Sequence, residues 1–368
     1  MRIGLVVPGG VDPSAEYRVI PVLLALISRL AARHEVRVFA LRQQARPGHW
    51  RLLGADVDNI GSPRPRVRAI QALRAAHRAA PFDIIQSIWS ADPGLVAVTA
   101  GRLLGVPALV HVAGGELAAV PDIDYGGGLS WRGRLREALV LRAAAHVSAA
   151  SAPMVRALAQ IGVRADRLPL GIDVDQHPPR APRRRVPGST ARLIHVASLN
   201  RVKDQTTLLQ ALSVLRGAGM AFHLDLVGED VLDGRIQRLA VDLGLADRVT
   251  FHGFLPQRPL RVLLERADLM LVSSRHEAGP VVVLEAAVAG VPTVGTDVGL
   301  LSEWAPRAAR VVPVADPRAL AGAVLELLGD ENGRLELARA AQGRALAEDA
   351  GFTARAFEAL YERLRPRA

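Results

Sequence analysis

Asp268–Glu285 has the sequence DLMLVSSRHEAGPVVVLE. Its apolar start predicts a buried strand, its Gly-Pro pair a turn, and its last residues a helix that carries Glu285 in its first turns. At the start of such a helix the backbone amides of Gly279 and Val281 have no helical partners. Free amides and the positive end of the helix dipole attract anions, above all phosphates. Carboxylates of Glu277 and Glu285 on either side would bind hydroxyl groups of the molecule that carries the phosphate, which predicts a nucleotide-sugar site.

The composition is that of a two-domain globular protein. The chain has 368 residues, half of them hydrophobic, and no cysteine, which excludes disulfides and thiolate metal sites. We expect a cytoplasmic protein, because no apolar stretch is long enough to span a bilayer and no signal-peptide pattern precedes the first strand.

The charge is uneven along the chain. The net charge is +10, and residues 1–172 hold 21 arginines against 12 acidic residues. This excess favours an anionic acceptor or peripheral contact with an anionic membrane on its inner face. The alternative is a compositional preference for arginine, which accounts for 45 of the 46 basic residues.

Short Val/Ile/Leu runs alternate with amphipathic stretches, which predicts an α/β protein with parallel sheets covered by helices. The pattern restarts near Leu193, after a proline-rich stretch. We therefore predict a Rossmann-like acceptor-binding domain over 1–172, a linker over 173–190, a Rossmann-like donor-binding domain over 191–345 and a C-terminal helix over 346–368. Ligands are expected where the carboxyl ends of the strands meet, in the crevice between the domains.

The second domain offers candidate ligand-binding residues after several strands. Lys203 is the only lysine of the chain, and a compact ammonium suits phosphate; chance in an arginine-rich chain is the alternative. It follows a strand together with Ser198 and Arg201. Gly228 and Glu229 end the next strand, where they would approach a ribose or base, or form an ordinary turn. The backbone of Phe254 and Leu255 could face a nucleobase.

The first domain offers weaker candidates. Gly9 and Gly10 follow the first strand, where the main chain could pass close to a ligand. His111 lies in an apolar strand and is either structural or part of the catalytic lining. Gly114, Gly115 and Glu116 follow that strand, and Tyr125 precedes three glycines in a segment that predicts a mobile acceptor-side loop or a flexible connection.

No metal site is predicted. Three Asp-x-Asp pairs occur, at Asp56/Asp58, Asp122/Asp124 and Asp173/Asp175, but none closes a strong strand beside the predicted phosphate site. The arginine-rich stretch 64–78 either lies on anionic lipid or, as we favour, packs its apolar side on its own sheet.

Taken in order, Lys203, Gly228-Glu229, Phe251–Phe254, Ser274–Glu285 and Gly290–Val294 resemble the retaining GT-B glycosyltransferases of the large GT4-like group. The Glu277-x7-Glu285 spacing is that group's paired-glutamate motif. The resemblance is dense in the second domain and rests mainly on Gly9-Gly10, Gly114-Gly115 and the hinge Leu170–Asp173 in the first. It implies two Rossmann-like domains with a cleft between them and a C-terminal helix that packs back on the N-terminal domain.

The resemblance also implies roles for the candidates. Glu285 would hold the ribose and Lys203 the donor diphosphate, while Glu277 and the amides from Ala278 through Gly279 and Pro280 to Val281 would hold the sugar. A hexosyl group would pass from a UDP-, GDP- or ADP-sugar to a glycan, lipid-linked or small-molecule acceptor with retention of configuration, without a cofactor, as in polysaccharide or glycoconjugate biosynthesis.

The chain departs from the family pattern at two positions. Ala197 and Ser198 stand where the family has an arginine before the lysine, and Ala113 stands where it often has a histidine. Arg201 and His111 are the candidate substitutes. A nucleotide-sugar epimerase and a non-catalytic nucleotide-sugar-binding protein are the alternative functions.

Overall fold

The computed structural model describes residues 1–365. The last three residues of the predicted segment 346–368 lie outside this range. The described chain forms two compact units: unit 1 comprises Met1–Asp173 with the C-terminal stretch from Glu348, and unit 2 comprises Val174–Ala347.

Unit 1 contains eight strands among its described residues, and all but one join the sheet in parallel. The strands are β1 (Arg2–Val7), β2 (Glu35–Ala40), β3 (Gly48–Leu52), β4 (Ala55–Asn59), β5 (Ile84–Ile88), β6 (Ala108–Val112), β7 (His146–Ala149) and β8 (Asp166–Arg167). Their order in the sheet is β3-β4-β2-β1-β5-β6-β7-β8, and only the β3–β4 pair among them is antiparallel.

The helices of unit 1 cover this sheet. They are α1 (Pro21–Ala31), α2 (Pro65–Ala79), α3 (Leu95–Leu104), α4 (Trp131–Ala143), α5 (Ala152–Gln160) and, from the far end of the chain, α13 (Ala350–Leu364). The core forms because alternate faces of β1, β2 and β5 carry Val, Ile and Leu against the apolar faces of α1 and α13.

Helix α13 completes the core of unit 1, as the predicted C-terminal helix requires. Phe357 and Tyr361 are buried against the sheet, and the Tyr361 hydroxyl donates a hydrogen bond to the Gln86 side chain on β5. The Gly171 amide donates to Thr353 Oγ1 at 2.8 Å. The chain therefore returns to its N-terminal unit before it ends.

Unit 2 has a six-stranded, fully parallel sheet with the order β11-β10-β9-β12-β13-β14. Its strands are β9 (Ala191–Val196), β10 (Phe222–Val227), β11 (Val249–Gly253), β12 (Leu269–Val272), β13 (Thr293–Thr296) and β14 (Arg310–Val312). Its helices are α6 (Gln205–Gly217), α7 (Arg235–Asp242), α8 (Gln257–Arg266), α9 (Val281–Val288), α10 (Gly299–Trp304), α11 (Pro317–Gly329) and α12 (Glu331–Ala347). The GT-B class predicted from the sequence is confirmed by these two α/β units together with the comparisons reported below.

The proline-rich segment between the units is docked on unit 2 rather than extended in solvent. Asp268 accepts hydrogen bonds from Arg183 Nη2 at 3.1 Å and from the Arg192 amide at 2.9 Å. The buried Arg334 donates to the Arg183 carbonyl oxygen at 2.6 Å. The arginine run at 183–185 thus anchors the segment, although its composition is that of a linker.

Two features of unit 1 differ from the sequence pattern. The helix predicted from residue 14 begins at Pro21, because proline is favoured in a first turn and residues 11–20 form a turn-rich loop. The β3–β4 hairpin was not predicted, since its outer strand is largely exposed and lacks an apolar face. No helix within residues 1–365 is long and apolar enough to cross a bilayer.

Candidate active site

Three loops lie together at the carboxyl edge of the unit 2 sheet. They follow β9, β10 and β12, and β9 lies between the other two strands. The chain leaves β9 toward β10 on one side and later returns to β12 on the other. Such a switch point is where open α/β sheets bind their ligands.

The two residues predicted to bind the donor meet at this edge. Lys203 Nζ lies 2.5 Å from Glu277 Oε1, and the hydroxyl of Ser274 donates to the same oxygen at 2.7 Å. The lysine side chain is 25% exposed and that of the glutamate 11%. The sequence placed both on a ligand but did not predict that they pair with each other.

Backbone contacts hold the two loops together. The Arg275 amide donates to the Val202 carbonyl at 2.7 Å, and Ser273 Oγ donates to the Lys203 carbonyl at 2.8 Å. Lys203 and Glu277 are therefore presented by loops that support each other, as a binding site needs.

A buried histidine that the sequence analysis did not single out lies near this pair. His195, on β9, lies with Nδ1 2.9 Å from the Leu271 carbonyl, and Gln205 Nε2 lies 3.2 Å from its Nε2. Gln205 also donates to the Ser198 carbonyl at 3.1 Å, which fixes the loop before Lys203. Burial lowers the His195 pKa to about 4, so the ring is neutral at physiological pH. The signal in the sequence was a polar residue inside an apolar strand.

Helix α9 begins at the same edge. Pro280 caps it, and within residues 1–365 no side chain caps its first amides by a hydrogen bond. The predicted amides at Gly279 and Val281 thus lie at the start of a helix whose dipole favours an anion.

Glu285 lies one turn into α9 and is buried. Gln257 Nε2 donates to its Oε1 at 3.2 Å, and His177 Nε2 lies 3.1 Å from Gln257 Oε1. Burial raises the pKa of the Glu285 carboxyl, while His177 and Gln257 act in the opposite direction. Gln257 and His177 were missed because they lie far from the paired-glutamate motif in the chain.

The remaining unit 2 candidates surround this edge. Gly228 has φ +153°, and a Cβ there would lie 1.9 Å from the Ala197 carbonyl oxygen, so glycine lets the β9 and β10 loops touch. Ser198, Arg201 and Glu229 are exposed beside it. Phe254, 51% exposed, and the half-buried Leu255 follow the outer strand β11, two strands away from β9.

In unit 1, Gly9 and Gly10 form the turn after β1. The Gly10 amide already donates to the buried Gln43 side chain at 2.6 Å. That amide is therefore engaged, and the predicted contact of this turn with the donor stays a prediction.

The structure argues against the predicted catalytic role of His111. Its side chain is fully buried, 3.0 Å from Ser148 Oγ and edge-on to the Phe357 ring. Burial lowers its pKa to about 3. A neutral ring inside the core cannot touch a substrate, so His111 is a structural residue and does not replace the family histidine.

The loop that holds Gly114, Gly115, Glu116 and Tyr125 is compact, which corrects the predicted mobile loop. The amide of Tyr125 donates to the Val120 carbonyl at 3.1 Å. A Cβ on Gly126 would lie 2.1 Å from the Ala118 carbonyl oxygen, so that glycine serves close packing rather than mobility. Glu116 is buried, and burial raises its pKa.

Polar residues absent from the sequence analysis lie beneath this loop. Ser90 donates through its amide to Glu116 Oε1 at 3.2 Å and through its hydroxyl to Glu137. Burial raises the Glu137 pKa to about 6. Trp89, just before Ser90, has a φ of +73°, which is strained for a non-glycine residue. Strain of this kind concentrates at functional sites, and only the structure reveals it.

No group of three or more His, Asp or Glu side chains in the described chain is placed to hold a metal ion.

Comparison with family models identifies the chain. Residues 181–344 match the model of glycosyl transferases group 1, and residues 19–171 match the glycosyl transferase 4-like domain. This chain belongs to the GT4-like group 1 glycosyltransferases. The paired glutamates and Lys203 all lie within the first of these matches.

Curated relatives agree with this assignment. The glycosyltransferase EpsF of Bacillus subtilis is 28% identical over 66% of this chain and 64% of its own length. The N-acetyl-alpha-D-glucosaminyl L-malate synthase of Bacillus anthracis is 34% identical over 38% of this chain and 36% of its own. The matched segments thus span less than two thirds of these relatives.

Solved structures share the fold over nearly the whole chain. A sucrose-phosphate synthase from Thermosynechococcus elongatus has a TM-score of 0.82 at 20% identity, covering 99% of both chains. HepE of Anabaena in complex with UDP-glucose has a TM-score of 0.75 at 20% identity, covering 98% of this chain and all of its own.

Proposed function

We propose that this chain transfers a sugar from a nucleotide-sugar donor to an acceptor with retention of anomeric configuration. The observation that carries the proposal is the meeting of Lys203, Glu277 and the start of α9 at the switch point of the unit 2 sheet. A cation and uncapped helix amides at one place suit a diphosphate. Family membership and the UDP-glucose complex of HepE, a protein of the same fold, support the same chemistry.

The Lys203–Glu277 pair is compatible with a bound diphosphate. An ammonium has three N–H donors, and Glu277 and its neighbours leave a quarter of the lysine side chain exposed. Lys203 can therefore donate to a phosphate oxygen while it keeps Glu277. The glutamate, oriented by Ser274, would accept hydrogen bonds from donor sugar hydroxyls.

The nucleoside would lie along α9 and β11. Glu285, held by Gln257, would accept from ribose hydroxyls, and the exposed Phe254 with Leu255 would face the base. Acceptor binding falls to unit 1, through the compact loop of Gly114, Gly115, Glu116 and Tyr125.

The chemical step asks for charge stabilisation rather than a strong base. The bond between the anomeric carbon and the diphosphate oxygen breaks, and a bond to the acceptor oxygen forms on the same face. The acceptor proton passes to the leaving diphosphate. Lys203 and the α9 amides offset the charge that develops on that group. We propose that these groups suffice without a metal, so that EDTA leaves turnover unchanged.

The experiment measures transfer and donor hydrolysis with UDP-, GDP- and ADP-sugars. We expect Lys203→Ala and Glu277→Gln each to lower kcat/KM by about 100-fold or more, because each removes a charged contact used in the transition state. Lys203→Arg should restore little, since a guanidinium cannot replace a compact ammonium in this pair.

Arg339→Ala is the matched control, an exposed cation of unit 2 on α12. It should leave kcat/KM unchanged. Full turnover in both Lys203→Ala and Glu277→Gln, with correctly folded protein, would remove the proposed mechanism. Isomerised donor without transferred sugar would point to an epimerase instead.

A further inference from the structure

Unit 1 contains a polar cavity of about 540 Å³ at the start of α4. Three arginines, Arg66, Arg132 and Arg136, line it, against a single acidic residue, Asp124. Gly127 and other residues of the compact loop form the rest of the wall. The cavity therefore adjoins the loop that we assign to the acceptor.

The charges around the cavity leave a positive excess. Asp92 lies 2.7 Å from Arg66 Nη2, 3.7 Å from Arg136 Nη1 and 4.0 Å from Arg42 Nη2, so one carboxylate faces three guanidinium groups. Arg132 is exposed and stacks over the Trp131 ring at 5.4 Å. The buried Nε of Arg136 has no acceptor among the described residues. Forked guanidinium donors with unused capacity match the oxygens of a phosphate.

The outer face of α4 is unusually apolar. Trp131, Leu135 and Leu139 recur every four residues and are 62%, 52% and 59% exposed. We call these three residues the α4 stripe. Val140 and Leu141 on the other side of the helix are buried in unit 1, so the direction of the stripe is fixed by packing.

The α4 stripe and the arginines occupy one surface. The stripe starts at Trp131, next to Arg132 of the cavity, and Leu103 on the neighbouring helix α3 is 59% exposed. Arg134 and Arg142 add positive charge to the same helix. Apolar side chains flanked by arginines are the pattern of a helix that lies in the interface of an anionic membrane. A soluble phosphorylated acceptor would need the cavity but not the stripe.

We propose that the arginine cavity binds the phosphate of a lipid-linked acceptor while the α4 stripe enters the membrane surface beside it. This inference rests on the proposed function and names its acceptor class. The surface also differs from the stretch 64–78 considered in the sequence, where Leu73 is fully buried in the core of unit 1.

The experiment measures binding of the full chain to two kinds of vesicle at physiological salt. One contains phosphatidylcholine alone, and the other contains phosphatidylcholine with phosphatidic acid, whose headgroup is a phosphate monoester. We expect the wild type to prefer the second. The double variant Arg132→Gln/Arg136→Gln should reduce this preference at least about tenfold, since each basic residue contributes separately near an anionic surface.

The stripe is tested by Trp131→Ser/Leu135→Ser/Leu139→Ser, which alters exposed positions and should leave the melting temperature unchanged. It should weaken binding to both vesicles by about tenfold or more. Arg156→Gln, an exposed arginine of α5, and Val241→Ser, an exposed valine of α7, are the matched controls and should bind like the wild type.

Unchanged vesicle binding in both test variants would overturn the proposal. Loss of inorganic phosphate binding in the arginine variant with no effect of the stripe variant would assign a soluble acceptor and also overturn it. A dimer that the stripe variant converts to a monomer, with vesicle binding intact, would make the stripe an interface between copies. Nucleoside diphosphate binding by the same preparations reports separately on the proposed function.

Discussion

At the scale of single residues, the candidate site combines predictable and unpredictable contacts. The uniqueness of Lys203 and the spacing of Glu277 and Glu285 were visible in the sequence. Their surroundings were not, because Lys203 meets Glu277 across 74 residues of chain and Gln257 meets Glu285 across 28. Such partners depend on strand order, which local patterns do not specify.

Glu285 gives a prediction with a defined sign. Its folded-state pKa is raised by burial, so the protonated form is favoured by folding, and this contribution to stability is lost as the pH rises through that pKa. Glu285→Gln removes the buried charge. We expect the variant to be more stable than the wild type near pH 8 in urea unfolding, with the difference shrinking as the pH falls.

The same substitution should weaken nucleoside diphosphate binding at neutral pH by about tenfold or more, because a charged acceptor of ribose hydroxyls is lost. Wild-type affinity should fall as the pH drops through the raised pKa, and the variant should not show this dependence. A variant that binds nucleotide as tightly as the wild type would show that Glu285 is only structural.

At the scale of elements, period and punctuation predicted most helices and strands of both sheets. The predictions failed at edges. The β3–β4 hairpin lacks the apolar runs of the inner strands, and the loop at 126–128 contains three glycines that predict flexibility but serve close backbone packing. Both outcomes depend on tertiary contacts, which override local preference.

Gly228 tests how the β9 and β10 loops are joined. A side chain there would clash with the Ala197 carbonyl at 1.9 Å and adopt an unfavourable φ, so we expect Gly228→Ala to cost about 2 kcal/mol or more. It should also weaken nucleotide binding by displacing the loop that carries Lys203. Chemical unfolding and calorimetric titration measure the two effects.

Gly217→Ala is the matched control. Gly217 is the last residue of α6 and has open space around its Cβ position, so this change should be neutral or stabilise the fold by up to about 1 kcal/mol. Equal effects of the two substitutions would contradict the close approach at Gly228.

At the scale of the whole molecule, the sequence predicted two α/β units and a C-terminal helix that returns to the first. The helix could be predicted because its apolar residues at 357, 360 and 361 share one face, and these positions are buried in unit 1. The docking of the segment at 183–185 could not, since its ion pairs involve residues that are distant in the chain.

The return of α13 predicts where its mutations act. Phe357 is fully buried in the core of unit 1, so Phe357→Ala should cost about 3–5 kcal/mol. The loss should appear as faster hydrogen exchange in β1 and β5, with β9 and β12 unchanged. Leu212→Ala, at a fully buried position of unit 2, should show the opposite pattern. Faster exchange in β9 after Phe357→Ala would contradict the division into two cores.

The most direct test of the central claim is hydrogen exchange of the full chain with and without UDP, GDP or ADP. If the switch point of unit 2 binds the donor, at least one nucleotide should protect residues 197–204, 228–230 and 274–285 together, and Lys203→Ala should reduce that protection. Protection confined to other segments, or none with any of the three nucleotides, would contradict the account.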